Sequence, residues 1–295
     1  MLLTIRHRTS YRYARPVWLQ PHRMMLCPRG QHDLRLLTTE LRCVPPAAID
    51  WTQDVFGNLI ATASFAEATQ TLTIDSRMVV DHSAAAWPVF SIAPSAHQFP
   101  FAYSDADIAD LGGMRLPHYP QAASRVAAWV AQFRGTAPTD TLTLLKMINT
   151  AIATSLGYRV REEEGTQSPD ETLDRGSGSC RDFATLFIEA VRHLGFGAHA
   201  VSGYLQPDLP GDQHGTTHAW AEVYLPCAGW IPFDPTHGRM GGAGLIPVAV
   251  AGNIARIHPV RGSYLGAPED FLDMQVEVTV ETSSAPDAAF DASPR

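Results

Sequence analysis

An α+β fold is expected from this 295-residue chain, and three features predict it. Up to about residue 95 the sequence runs in short segments rich in Thr, Ile, Leu and Val, broken by turn residues, as antiparallel strands do. From residue 121 apolar positions recur at helical spacing instead. Strict two-residue alternation then returns at Thr217 to Leu225 and at Met274 to Glu281, the signature of strands with two unlike faces.

In chain order, the first strand runs are Leu2 to His7, Leu34 to Val44, Gly57 to Phe65 and Thr69 to Asp81, separated by breakers such as Pro45-Pro46 and Phe56-Gly57-Asn58. They are expected to form one sheet or a small sandwich, an N-terminal β domain over residues 1–95. Trp87-Pro88 to Pro100 holds three prolines and no sustained periodicity, so a linker or extended crossing is placed there. Gln121 to Phe133, with Val126, Trp129, Val130 and Phe133 at helical spacing, is the first helix. Thr141 to Ser155, with Leu142, Leu145, Ile148 and Ile152, is the next, ended by Gly157. Arg161-Glu-Glu-Glu-Gly165 through Asp174 reads as a charged, solvated loop.

That loop leads into Gly176-Ser-Gly-Ser-Cys180-Arg-Asp182. Phe183, Leu186, Phe187, Ala190, Val191 and Leu194 then mark one apolar stripe of a helix that Gly195 stops. Ser179 as N-cap and Asp182 three residues on make a capping-box pair, which puts Cys180 at the first helical position. Unpaired N–H groups and the positive end of the helix dipole favour a thiolate there, and the preceding glycines allow close backbone approach to a substrate. A nucleophile also needs a base, and the base a group to orient it.

Thr217 to Leu225 places His218, Trp220, Glu222 and Tyr224 on one face, with small apolar residues on the other. After the turn-like Pro226-Cys-Ala-Gly229, Trp230 to Pro235 puts Trp230 and Asp234 on one face, so a hairpin is expected. An odd number of loop residues brings Asp234 to the face of His218 and diagonal to it; an even number separates them. Cys180, His218 and Asp234 then follow the nucleophile, base and orienter order of cysteine acyl-transfer enzymes. Trp220, two residues after the histidine, is placed at the cleft wall, either in contact with substrate or as plain packing. Gly241-Gly-Ala-Gly244 is loop, Met274 to Glu281 closes the second domain of residues 96–282, and Ser283 to Arg295 reads as a disordered tail.

Cys180-Arg-Asp-Phe-Ala, Val201-Ser-Gly-Tyr204, His218-Ala-Trp-Ala-Glu-Val-Tyr224 and Gly229-Trp-Ile-Pro-Phe-Asp-Pro-Thr236 together resemble the bacterial transglutaminase-like proteins. The likeness covers roughly residues 120 to 285. Leu3-Thr-Ile-Arg-His7 with Tyr11-Arg-Tyr13 is similar to the β-rich N-terminal domain such proteins often carry. The resemblance implies a papain-like core with Cys180 as nucleophile, His218 as base and Asp234 as orienter; beside them Trp220 and Asp182 are read as substrate-binding or supporting residues. It implies action on peptide or side-chain amides through a thioester. Hydrolysis is the first expected outcome, amine transfer to glutamine the alternative, and an inactive peptide-binding module a further one.

A net charge of −8 argues against a nucleic-acid surface, and 45% hydrophobic residues suffice for two real cores. Cys27, Cys43, Cys180 and Cys227 are too scattered for a disulfide framework or a C-x-x-C zinc site. No apolar run reaches the length of a signal peptide or a membrane span, so a cytoplasmic setting without membrane partners is expected. The 12 histidines show no H-E-x-x-H or other close ligand pair. Thus no metal or other cofactor is expected, and His193, His199, His214 and His237 are read as structural or exposed.

Overall fold

The computed structural model describes residues 1–85, 88–135, 138–161, 163–206 and 215–283. The chain divides into two compact units: Met1–Ala84 with Leu205–Thr216 and Val260–Arg295, and Ala85–Tyr204 with Thr217–Pro259.

The first unit is built on β1 (Leu2–Leu19), β2 (Leu34–Val44) and β3 (Thr69–His82). β3 pairs antiparallel with both others, with Ile5 opposite Met78 and Cys43 opposite Ile74. Leu3, Ile5, Leu72, Ile74, Met78 and Val80 share one fully buried face, the two-residue period of the sequence. On the other face Asp75 accepts hydrogen bonds from Arg6 and Arg8. A smaller sheet of Val260–Arg261, His22–Met24, Leu59–Ser64 and Ala48–Gln53 adds Met24, Ala61 and Ala63 to the same core. Phe271–Ser283, expected to close the second domain, pairs instead with β1 along Leu2–Tyr13. Alternation reports a half-buried strand but not the sheet edge that receives it.

The second unit holds the helices and a five-stranded sheet. Its named elements are α1 (Thr141–Ser155), α2 (Cys180–His193), β4 (Ala198–Leu205), β5 (Thr216–Leu225), β6 (Gly229–Asp234) and β7 (Leu245–Ala251). The strand order is Arg239–Met240, β6, β5, β4, β7. α1 starts where the Asp140 carboxylate accepts the Thr143 N–H at 2.7 Å. The helix read at 121–133 forms over Ala123–Ala131, and Gly195, at φ 94°, follows the end of α2. Ala123–Ala131, α1 and the short helix Pro169–Arg175 all pack against α2. Phe187 of α2 stacks on Phe233 of β6 with centroids 5.3 Å apart, which lays the helix against the strand ending in Asp234.

Three segments differ from expectation. Part of the charged stretch before Cys180 is the helix Pro169–Arg175, begun by a Ser168/Glu171 capping box with proline in the first turn. Asp105–Leu111, N-capped by Ser104, is a helix just past the proline-rich stretch. β4 and β7 are buried almost throughout, so they carry no alternation to read. The tail beyond Ser283, together with Trp87, Glu162 and His214, lies outside the described residues. Among the described residues no helix is long and apolar enough to cross a membrane.

Candidate active site

Cys180 opens α2 as its first residue. The segment before it is shaped by close packing. A Cβ on Gly178 would lie 2.8 Å from the Asp182 Cβ, while Gly176, at φ 61°, is the left-handed cap that ends Pro169–Arg175. The close approach at Gly178 is therefore to Asp182 and Phe183 rather than to a substrate. Asp182 is fully buried, and its Oδ2 accepts the Ser179 N–H and the Ser179 hydroxyl, each at 2.8 Å. Its Oδ1 accepts the Gln167 N–H at 2.7 Å, and Arg161 Nη1 lies 2.9 Å from both oxygens. Burial works against this charge, but the donors from Ser179, Arg161 and Gln167 outweigh it and lower the carboxyl pKa. Asp182 thus ties the segment at Arg161 and Gln167 to the turn that presents Cys180.

The hairpin of β5 and β6 has the odd loop. Ala221 faces Phe233 and Leu225 faces Gly229, leaving three residues, Pro226 to Ala228, between the strands. Trp220 therefore stands opposite Asp234, and His218, two residues earlier, lies diagonal to it on the same face. His218 Nε2 donates to Asp234 Oδ2 at 2.9 Å, with both residues buried. The His218 side chain also interacts with Cys180, which favours its charged form. With Nε2 engaged by the carboxylate, Nδ1 is the nitrogen left for the sulfur. The structure thus brings together the three residues singled out in the sequence.

The three groups are electrostatically coupled. Burial opposes charge on His218, but hydrogen bonds with Asp234 and Cys180 outweigh it and raise its pKa from 6.5 to about 9. Asp234 is also buried, yet the bonds from His218 and His237 hold its carboxyl well below the usual range.

His237, expected to be structural or exposed, is exposed, and it also bonds the site carboxylate, a contact that the sequence reading did not include. Its Nδ1 donates to the same Asp234 Oδ2 at 2.7 Å. The available signal was its position in Asp234-Pro-Thr-His237, where a turn folds the ring back on the carboxylate; the Thr236 N–H closes that turn onto Asp234 Oδ1 at 2.9 Å. Ligand atoms of His218, Asp234 and His237 lie within 4.8 Å of one another, a spacing a metal ion could use. In this arrangement both imidazole N–H groups are already directed at the carboxylate.

Trp220 is placed differently from the cleft wall expected for it. It is 1% exposed and lies behind His218, the ring centroids 6.1 Å apart and tilted by 25°. From His218 to Val223 consecutive residues of β5 are buried, so both of its faces are covered there, and Trp220 packs over Gly203 of β4. Glu222 is buried as well, bonded to His199 Nε2 at 2.8 Å, and the His199 ring stacks on Trp230 at 3.9 Å.

Comparison with known proteins agrees with this architecture. Residues 3–81 match the family model of the bacterial transglutaminase-like N-terminal region, and residues 127–235 match that of the transglutaminase-like superfamily. An uncharacterized protein of Mycobacterium tuberculosis is 28% identical over 292 residues, covering 93% of this chain and 91% of its own. One of Mycobacterium leprae is 24% identical, covering 92% and 96%. A solved structure of a candidate cysteine protease from Cytophaga hutchinsonii superposes with a TM-score of 0.73 at 21% identity, covering 97% of this chain and 93% of that one, a likeness of fold.

Proposed function

For a chain that carries a transglutaminase-like superfamily core behind a bacterial transglutaminase-like N-terminal region, we propose a cysteine-dependent enzyme that opens peptide or side-chain amides through a thioester and resolves it with water. The observation that carries this reading is His218, hydrogen-bonded to Asp234 and electrostatically coupled to the cysteine that begins α2.

The Cys180 sulfur attacks the amide carbonyl carbon while its proton resides on His218. The tetrahedral oxyanion is stabilised by backbone N–H groups at the start of α2. Collapse breaks the C–N bond, and His218 gives its proton to the leaving amine. His218 then takes a proton from water, whose oxygen attacks the thioester carbon; Cys180 leaves as the acid product forms. Asp234 keeps the ring in the tautomer that points Nδ1 at sulfur and offsets the positive charge.

Water is favoured as acceptor because a lysine-like amine has a reference pKa of about 10.4 and is almost wholly protonated at neutral pH. Competing with water, such an amine would have to be desolvated in a walled channel. Mass spectrometry of glutamine-containing peptides, with and without cadaverine, separates the outcomes. Cleavage or deamidation as the main product, lost in Cys180→Ala, is expected. Predominant amine adducts would overturn the hydrolytic reading in favour of transfer; peptide binding without any Cys180-dependent product would mark a non-catalytic module.

A further inference from the structure

His237 has no step in the chemistry above, yet it supplies the second imidazole on the carboxylate that holds His218. We propose that His237 is a positioning residue for Asp234: its Nδ1–H fixes Oδ2 so that the carboxylate meets the His218 ring in the orientation that serves Cys180. The inference rests on the Cys180–His218–Asp234 reading and adds a fourth member behind it.

The geometry supplies three donors for one carboxylate. Oδ2 receives His218 at 2.9 Å and His237 at 2.7 Å, while Oδ1 receives the Thr236 N–H at 2.9 Å. The two imidazole rings stand 5.4 Å apart at 52°, so they reach Oδ2 from different directions and leave it little freedom to swing. What holds His237 there is the next residue. Gly238 takes φ 67°, and a Cβ on it would lie 3.3 Å from the Ala153 Cβ of α1, so the turn is seated closely against that helix. The His237 side chain is 34% exposed and stands at the rim of a carboxylate that is itself 3% exposed.

A shared acceptor has a consequence that a packing residue lacks. Each donor on Oδ2 draws on the same negative charge, so taking His237 away leaves more of it for His218. The imidazolium is then favoured, and with it the ionised sulfur of the coupled pair, so Cys180 becomes reactive at lower pH even as the loosened carboxylate costs turnover. Among the described residues the cluster is also faced by Tyr158, whose ionisation is opposed by burial first and by Cys180 and Asp234 after it, and by Arg239, the cross-strand neighbour of Asp234. α1 presents the uncharged Thr150 and Ala153 to the turn.

The test uses the full chain and three forms: wild type, His237→Ala and His237→Asn. The asparagine amide N–H can occupy the place of Nδ1–H, whereas alanine offers no donor. Iodoacetamide labelling of Cys180 across pH is followed by mass spectrometry, alongside turnover of a glutamine-containing peptide. For His237→Ala, kcat is expected to fall about ten-fold or more with KM little changed, and the acid limb of labelling to move to lower pH. His237→Asn should restore both towards wild type. A labelling curve unmoved in His237→Ala, or an asparagine variant as impaired as the alanine one, overturns the proposal. If wild-type Cys180 labels no faster than a free thiol at any pH, the catalytic reading itself fails, and the two failures are told apart.

Discussion

Arg161 Nη1 stands 2.9 Å from each carboxylate oxygen of Asp182, and the two side chains are 15% and 0% exposed. Asp182→Ala would therefore leave a largely buried guanidinium without its carboxylate and take the acceptor from Ser179 and Gln167. Removing one partner of a buried pair costs about 3–5 kcal/mol, and that loss of unfolding free energy is expected here. Asp182→Asn, which keeps an acceptor oxygen, should lose less. Denaturant unfolding of the two variants checks this; a loss below about 1 kcal/mol in the alanine variant would mean the segment at Arg161 is held by other contacts.

The four thiols should separate by reactivity at neutral pH. Burial pushes the thiol of Cys43 up to about 11 and also raises that of Cys27, so both should label slowly. Cys227 is exposed at φ 66° in the hairpin loop and is the thiol to compare with. Cys180, only partly exposed, is expected to outpace it because it is the first residue of α2 and stands beside the His218 imidazole. Peptide-resolved alkylation kinetics in which Cys227 leads Cys180 would count against the nucleophile.

The legible part of this site was the part governed by short-range pattern. The helical stripe from Phe183 to Leu194 and the Ser179/Asp182 pair located Cys180, and β5 and β6 alternated cleanly enough to pose the register question that the three-residue loop answers. What stayed hidden depends on long-range partners. The pairing of Phe271–Ser283 with β1 joins residues some 270 positions apart, as in Tyr11 opposite Met274. Burial of Trp220 follows from what covers both faces of β5, Gly203 of the neighbouring strand included, which no window of its own sequence reports. Arg161, in what read as a solvated loop, is matched by a carboxylate 21 positions later.

Gly203 is where β4 makes room for Trp220. A Cβ there would sit 2.7 Å from Trp220 Cη2 and 2.1 Å from the carbonyl oxygen of Ile246 on β7. The side chain could shift, but the carbonyl moves only with its strand. Gly203→Ala is expected to destabilise the protein at the upper end of the roughly 1–3 kcal/mol typical of overpacking, or beyond it. Adding Trp220→Phe should not rescue it, since the nearer clash is with backbone. Thermal unfolding of the single and double variants tests this; full recovery in the double variant would place the strain on the indole instead.

Stability should depend on pH through two histidines shifted in opposite directions. His7, 1% exposed on β1, is pushed by burial down to about 4. The unfolded chain then binds a proton near 6.5 that the folded chain refuses, so the stability His7 gives is present above 6.5 and lost as pH falls from 6.5 towards 4. His22, His82 and His118 are also lowered by burial and add to the same arm. His218 is raised to about 9, so its contribution is complete below 6.5 and lost as pH rises from 6.5 to 9. The thiols of Cys27 and Cys43 are shifted upward from 9.0, so their effect begins above that window. Calorimetric unfolding midpoints between pH 4 and 9 should therefore fall on both sides of neutrality. His7→Leu should flatten the acid arm without removing it, because three other histidines remain, and His218→Gln should flatten the alkaline arm alone. An alkaline arm that survives His218→Gln unchanged would mean that the charged imidazole contributes nothing to the fold, and the relay of Cys180, His218 and Asp234 would have to be rebuilt around a neutral ring.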